Sequence, residues 1–443
     1  MARRGGSLAP AARPVNVGGT VRVPGDKSIT HRAFMLASLA RGESVVRGAL
    51  VSGDVRSTAR VLRQLGVPVG AVRGGNEVRV RGGSWRRPGE SLHCGNSGTT
   101  ARLLLGLLAG RPFEARLTGD RSLRQRPMRR VTEPLRRMGA AIVEERGDGL
   151  PLRIHGGALA PLVWRLPVAS AQLKSALLFA GLVGGVPVAL DEPAKSRDHT
   201  ERLLAALGAP LAERGTAVHL DEATGWLATL RDLELVVPGD ASSAAFLVGA
   251  GVLAEDGALT LEGVGVNPTR IGFLRVLERM GAPIPVVSLR TVAGEPIGDL
   301  MVRPANLHGV EVAAHEVPSL IDEVPLLAVL ASRARGETAF RSVGELRVKE
   351  SDRLGLLAAN LRAVGAQAAV EREDLVVWGS SEAPRGSVDT AGDHRLAMAF
   401  AVLGTVPGAA VRLSERTSPA ISYPGFFEDL ERIDARTPQC HRD

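Results

Sequence analysis

The chain has 443 residues, 44% hydrophobic and 23% charged, a balance that excludes disorder and predicts two domains or more. Aromatic residues make up only 3%, so the core must be built from Leu, Val and Ala, which suits many short α/β units. The net charge of +8 raises nucleic-acid binding as one reading, yet the basic residues are spread along the chain and few aromatics are available to stack bases.

The amino end, Met1-Ala2-Arg3-Arg4-Gly5-Gly6, is basic with no apolar signal-peptide core behind it, and the first dozen residues are expected to be mobile. The longest apolar stretch, Ala176 to Leu190, is too short and too broken by Gly and Pro to span a bilayer, so a cytoplasmic protein is expected. Cys94 and Cys440 offer neither a metal spacing nor a disulfide framework. Lysine is rare: among 55 basic residues the lysines are Lys27, Lys174, Lys195 and Lys349. Where arginine is the default cation, a retained lysine suggests a need for a compact charge with a tunable proton.

In chain order, a short β run at Val21 ends in Pro24-Gly25-Asp26, and Lys27-Ser28-Ile29-Thr30-His31-Arg32 reads as the start of a helix. Ser28 and Arg32 then lie one turn apart, with Lys27 at an end that favours anions. Taken alone, the segment fits equally a Ser28-capped helix with two solvated cations. Next, Leu62-Arg63-Gln64-Leu65-Gly66-Val67 has the form of a helix closed by a left-handed glycine. The same pattern returns around Gly139, Gly208, Gly281 and Gly365, about 70–85 residues apart, and a worn copy lies at Leu430-Glu431-Arg432-Ile433-Asp434-Ala435. Six α/β units are predicted, each too small to bury its apolar face alone.

Cys94-Gly95-Asn96-Ser97-Gly98-Thr99-Thr100 is a glycine-rich turn before an apolar helix, without the Gly-Lys-Ser/Thr ending of a nucleotide P-loop. Its amides can cradle an acidic group, and its Asn and Ser can equally serve as ordinary caps. Asp120 to Met128 packs three arginines before Pro127, which is expected to start a helix and hold Arg126 near its amino end. Ser170-Ala171-Gln172-Leu173-Lys174-Ser175 opens another apolar helix. Leu235 to Ser242 echoes Val21 to Ser28, with a second Pro-Gly-Asp break at Pro238. Matched breaks of this kind are where a chain would cross between two similar lobes.

Pro318 to Pro325 sets Asp322 and Glu323 between apolar residues and prolines. On a helix, Arg347 to Leu354 would place Lys349 and Arg353 on one face with Glu350 about 100° round, an arrangement that costs stability unless an anion bridges the two cations. Asp393-His394-Arg395 stands at the mouth of an apolar helix. No metal spacing, Gly-x-Ser-x-Gly elbow or dinucleotide fingerprint is present.

Together, Pro-Gly-Asp-Lys-Ser at Pro24, Gly-Asn-Ser-Gly-Thr-Thr at Gly95, Arg-Pro-Met at Arg126, Ser-Ala-Gln at Ser170, Arg-Val-Lys-Glu-Ser-Asp-Arg at Arg347 and Asp-His-Arg at Asp393 closely resemble the enolpyruvyl transferases. The likeness covers nearly the whole chain. It is to the branch that moves the enolpyruvyl group of phosphoenolpyruvate onto the 5-hydroxyl of shikimate 3-phosphate and releases phosphate, with no metal or organic cofactor. The resemblance implies a two-lobed, inside-out α/β barrel of six βαβαββ units, three per lobe. Residues 1–23 and 241–443 would form the discontinuous lobe and 24–240 the other, with the active site in the cleft between them.

The resemblance also assigns roles. Lys27, Ser28, Arg32, Ser170, Gln172, Arg197, Asp322 and Lys349 would hold shikimate 3-phosphate. Lys27, Asn96, Gly98, Arg126, Gln172, Arg353 and Arg395 would hold phosphoenolpyruvate. Asp322 would take the hydroxyl proton, Glu350 would protonate the methylene carbon, and Lys27 and His394 would support catalysis. In this family glyphosate occupies the phosphoenolpyruvate site, and a side chain at the position of Gly98 crowds it. Two features depart from some members: Ala420-Ile421-Ser422-Tyr423-Pro424 lacks a lysine before the aromatic-proline pair, and Arg197-Asp198-His199 replaces a Ser/Tyr pair. The nearest rival, UDP-N-acetylglucosamine enolpyruvyl transferase, pairs its first lysine with asparagine and carries a reactive cysteine in a mobile loop. A monomer acting on small molecules, with no nucleic-acid or membrane partner, is expected.

Overall fold

A computed structural model describes residues 16–73, 77–83 and 85–434; the basic amino end and Cys440 lie outside them. The described chain divides into two compact units. One takes in the described residues up to Val23, Gly239–Leu289 and the described residues from Ile297 onward; the other is Pro24–Pro238 with Arg290–Pro296. The second break therefore falls just before Gly239, ahead of the expected boundary after Asp240, and the Arg290–Pro296 stretch groups with the 24–238 unit. Each unit encloses its own apolar core, drawn mainly from Leu, Val and Ala.

The predicted helix endings form as backbone motifs. Gly66, Gly139, Gly208, Gly281 and Gly365 have φ of +89°, +111°, +75°, +94° and +90°, a region open to glycine at little cost. After each one, the next amide reaches back to the leucine five residues earlier: Val67 to Leu62 (3.0 Å), Ala140 to Leu135 (3.1 Å), Ala209 to Leu204 (2.9 Å), Ala282 to Leu277 (2.8 Å) and Ala366 to Leu361 (2.9 Å). Five helices thus end in the same Schellman closure, which satisfies terminal carbonyls and turns the chain toward a strand. In the sixth copy Asp434 stands where the glycine would be, and its amide reaches Glu431 (3.2 Å); Ala435 lies outside the described residues.

The strands repeat as well. Leu92–His93 pairs parallel with Glu114–Thr118, which pairs antiparallel with Leu152–His155 and through it with Ala141–Glu144. The same first-second-fourth-third order recurs in the sheets that begin at Leu162–Arg165 and Glu311–Val312. Two sheets obtain their first strand from a distant part of the sequence. Thr20–Val21 pairs with Leu259–Gly265, and Glu234–Val236 pairs with Gly42–Arg47. In both cases the donor strand lies just before a Pro-Gly-Asp break. Arg385–Val388 and Ala410–Leu413 form a reduced sixth sheet. No helix among the described residues is long and apolar enough to cross a membrane.

Candidate active site

In the Pro24–Pro238 unit, three helices bring their amino ends together: Lys27–Leu39, Gly98–Ala109 and Ala171–Gly184. Asp26, Ser97 and Ser170 cap them, each side chain accepting an amide hydrogen bond; Asp26, rather than Ser28, is the first cap. The contacts between the ends are direct. Gln172 donates to Thr99 Oγ1 (2.9 Å), and Arg32 donates to Ser175 Oγ (2.7 Å) from the neighbouring helix. Three amino ends concentrate unpaired amides and positive dipole charge in one place, an arrangement that favours anions.

Within this cluster Lys27 is a cation at the first position of a helix, where the dipole disfavours it, and Asp54 pairs with it at 3.2 Å. Arg32 is buried, held by Thr200 Oγ1 (2.7 Å), Ser175 and the Ser28 carbonyl (3.0 Å); burial lowers its pKa to about 10, so it stays charged at neutral pH. Arg126 contacts Asn96 and Ser122. It caps the carboxyl end of the short Arg121–Gln125 helix, and the next helix begins at Arg129, because Asp148 accepts from the amides of Met128 and Arg129 (2.8 and 2.7 Å). Pro127 therefore does not start a helix as expected. Arg197 lies half-buried in the loop before the His199–Ala206 helix. The sequence reading did not single out Arg102, which ties Gln172 (2.6 Å) to the carbonyl of Pro127 (3.2 Å), beside Arg126. Its signal was a lone cation on an otherwise apolar helix.

His31 sits beneath this cluster, with Nδ1 2.7 Å from Thr58 Oγ1. Burial above all, then Lys27 and Arg32, pushes its pKa down to about 3. The unfolded chain takes up a proton near pH 6.5 that the folded chain refuses. Stability is therefore fully present above pH 6.5 and is lost as pH falls from there toward 3, by about 1.4 kcal/mol per unit. Between pH 7.5 and 5.5, His31→Asn should lose about 1.4 kcal/mol less than the parent in urea denaturation; equal losses would remove His31 as the cause. Cys94 is buried, and burial pushes its thiol up to about 12, unlike a poised nucleophile.

The other unit repeats the scheme with the helices Ala241–Val252, Val324–Ala331 and His394–Leu403. Ser242 contacts Glu323, and Arg395 reaches Glu323 (3.3 Å) and the carbonyl of Asp322 (2.9 Å). The Asp322 carboxylate gathers three cations: Lys349 at 3.8 Å, Arg353 at 3.4 Å and Arg395 at 3.6 Å. Arg353 is 1% exposed and also binds Asp393 (2.7 Å) and Glu350. Burial opposes its charge, but these carboxylates more than offset that and raise its pKa above the ordinary value. Burial likewise works against Asp393, yet Arg353 and His394 hold its carboxyl below the usual range.

One local expectation fails here. Residues 347–353 do not form a continuous helix: a 3-10 turn covers Gly344–Val348, and the α-helix starts only at Arg353, where Asp352 accepts from the Gly355 amide (3.0 Å). Lys349 and Arg353 share no helical face. They converge because both reach the same distant carboxylate, Asp322, which supplies the bridging anion between like charges. His394 is buried at the start of its helix. Among the described residues, no group of three or more His, Cys, Asp or Glu side chains is placed to hold a metal ion.

Two units built on one plan, each with convergent helix amino ends, define an enolpyruvyl transferase fold, and comparison with solved structures agrees. The enolpyruvyl transferase NikO of Streptomyces tendae superposes with a TM-score of 0.76 at 20% identity, over 96% of both chains, a likeness of fold. An EPSP synthase from Acinetobacter baumannii superposes with a TM-score of 0.84 at 35% identity, over 96% of this chain and 97% of that one. The family model for EPSP synthase (3-phosphoshikimate 1-carboxyvinyltransferase) matches residues 12–430, and the chain belongs to that family. Relatives named 3-phosphoshikimate 1-carboxyvinyltransferase include that of Gloeobacter violaceus, 47% identical over 96% of this chain and 98% of that protein. The Geobacillus thermodenitrificans relative is 45% identical over 95% and 98%.

Proposed function

We propose that this chain transfers the enolpyruvyl group of phosphoenolpyruvate to the 5-hydroxyl of shikimate 3-phosphate and releases phosphate, a step in aromatic amino-acid biosynthesis. The observation that carries this reading is the Asp322 cluster, where two carboxylates and three cations meet beside a helix amino end in a chain of this family. Both substrates are polyanions and repel each other until their charges are neutralised. Arg32, Arg197, Ser28, Ser170, Gln172, Lys27, Lys349 and Asp322 would hold shikimate 3-phosphate. Lys27, Asn96, Gly98, Arg126, Gln172, Arg353 and Arg395 would hold phosphoenolpyruvate, arginine forks matching its phosphate and carboxylate.

Asp322 takes the hydroxyl proton as that oxygen bonds to the enol carbon, and Glu350 gives a proton to the methylene carbon. Loss of phosphate and of one methyl proton then restores the double bond. Phosphate release measured with both substrates tests this: it should need both, persist in EDTA, and fall steeply in Lys27→Ala. Full activity in Lys27→Ala would overturn the assignment. Release with a UDP-sugar acceptor instead would favour the rival transferase, and salt-sensitive DNA binding the nucleic-acid reading. A cytoplasmic monomer fits two units that each bury their own core.

Gly98 offers a sharper check. A Cβ added there would lie 3.0 Å from Arg102 and 3.4 Å from Arg126, both guanidinium groups at the proposed phosphoenolpyruvate end. Gly98→Ala should raise the KM for phosphoenolpyruvate several-fold and reduce inhibition by glyphosate. Equal inhibition of both forms would sink the placement of that ligand beside Gly98.

A further inference from the structure

Lys174 and Lys195 are retained lysines that the reaction does not use, and both hold the loop that carries Arg197. Lys174 is 1% exposed, among the largest fully buried side chains. Its ammonium lies 2.6 Å from Glu192 and 2.6 Å from Glu201. Burial works against its charge, and the two carboxylates reverse that, holding its pKa above the ordinary value.

Each carboxylate leads to a proposed phosphate ligand. Glu192 accepts from the Ser196 amide (3.2 Å) through the oxygen that meets Lys174, and from the Ser196 hydroxyl through the other. Ser196 directly precedes Arg197. Glu201 follows Thr200, which binds Arg32 (2.7 Å) and Ser175 (2.6 Å), the residue next to Lys174. Two neighbouring residues of one helix thus grip two neighbouring residues of another, and Arg32 is seated on the second pair. Lys195 adds an outer tie from the same loop to Glu213.

We propose that Lys174 is a positioning residue for phosphate recognition: through Glu192 it fixes Ser196 and the Arg197 loop, and through Glu201 it seats Thr200 under Arg32. This rests on the reading of Arg197 and Arg32 as ligands of shikimate 3-phosphate. A lysine is required because a tetrahedral ammonium fits between two carboxylates that both approach to 2.6 Å, whereas a planar guanidinium is larger and directional.

The test is steady-state phosphate release by full-length Lys174→Met, Ser196→Ala, Arg197→Ala and the double variant Ser196→Ala/Arg197→Ala, with melting temperatures measured alongside. Ser196→Ala removes the hydroxyl bond of the loop tie, leaves the amide bond, and keeps the test decisive if Lys174→Met does not fold. Loss of a hydrogen bond to a charged group should raise the KM for shikimate 3-phosphate about tenfold in Ser196→Ala, with a much smaller change in the KM for phosphoenolpyruvate. The double variant should match Arg197→Ala alone, because the serine acts through the arginine. A raised KM in Arg197→Ala together with a parental KM in Ser196→Ala would overturn the inference and leave the ligand reading standing. An unchanged KM in Arg197→Ala would overturn that reading, and the inference with it.

Discussion

Arg353→Ala should lower stability by about 3–5 kcal/mol and abolish phosphate release, because it leaves the buried Asp393 carboxylate without its cation and takes one cation each from Asp322 and Glu350. Arg353 is 1% exposed and serves Asp393, Glu350 and Asp322 at once, so no solvent is at hand to replace it. The cost comes chiefly from stranding Asp393, since Asp322 keeps Lys349 and Arg395 and Glu350 is partly exposed. Arg353→Lys keeps a positive charge but cannot span three acceptors with a fork, and an intermediate loss is expected. Denaturant midpoints read at constant slope measure both variants. A midpoint for Arg353→Ala within experimental error of the parent would mean that the cluster repacks or takes up protons at no cost.

Glu350→Gln should cut kcat by about 10²–10⁴-fold while changing KM values little, the expected loss for a positioned proton donor. Glutamine preserves the shape and can still meet Arg353, so folding should be nearly unaffected; the Glu350 side chain is about a quarter exposed. That separates it from Arg353→Ala, where stability and activity fall together. A kcat within twofold of the parent would remove Glu350 from the proton transfer and leave it as a partner of Arg353 only.

The fold was legible where its signals are local. A leucine, three residues and a glycine encode a helix ending within six positions, and five of these became identical hydrogen-bonded closures. Pro-Gly-Asp likewise marked two strand-to-helix breaks, although their caps are Asp26 and Asp240, where the sequence had offered Ser28 for the first. Signals failed where distant residues decide. Nothing near residue 350 reveals that Asp322 will draw Lys349 and Arg353 together, and without that knowledge the run reads as a helix. Asp54 and Arg102 escaped notice for the same reason: each is an ordinary charge in sequence, and only its partner marks it out.

The borrowed first strands also bear on how the chain must come off the ribosome. Thr20–Val21 waits about 240 residues for Leu259–Gly265, and Gly42–Arg47 waits about 190 for Glu234–Val236. At roughly 5–20 residues per second, each edge stays open for some ten seconds or more. Contacts so remote in sequence form slowly, and unpaired edges invite association with other chains. The nascent polypeptide therefore passes through a vulnerable interval that ends for one unit only when its last strand is made, and for the other only after synthesis has returned to it.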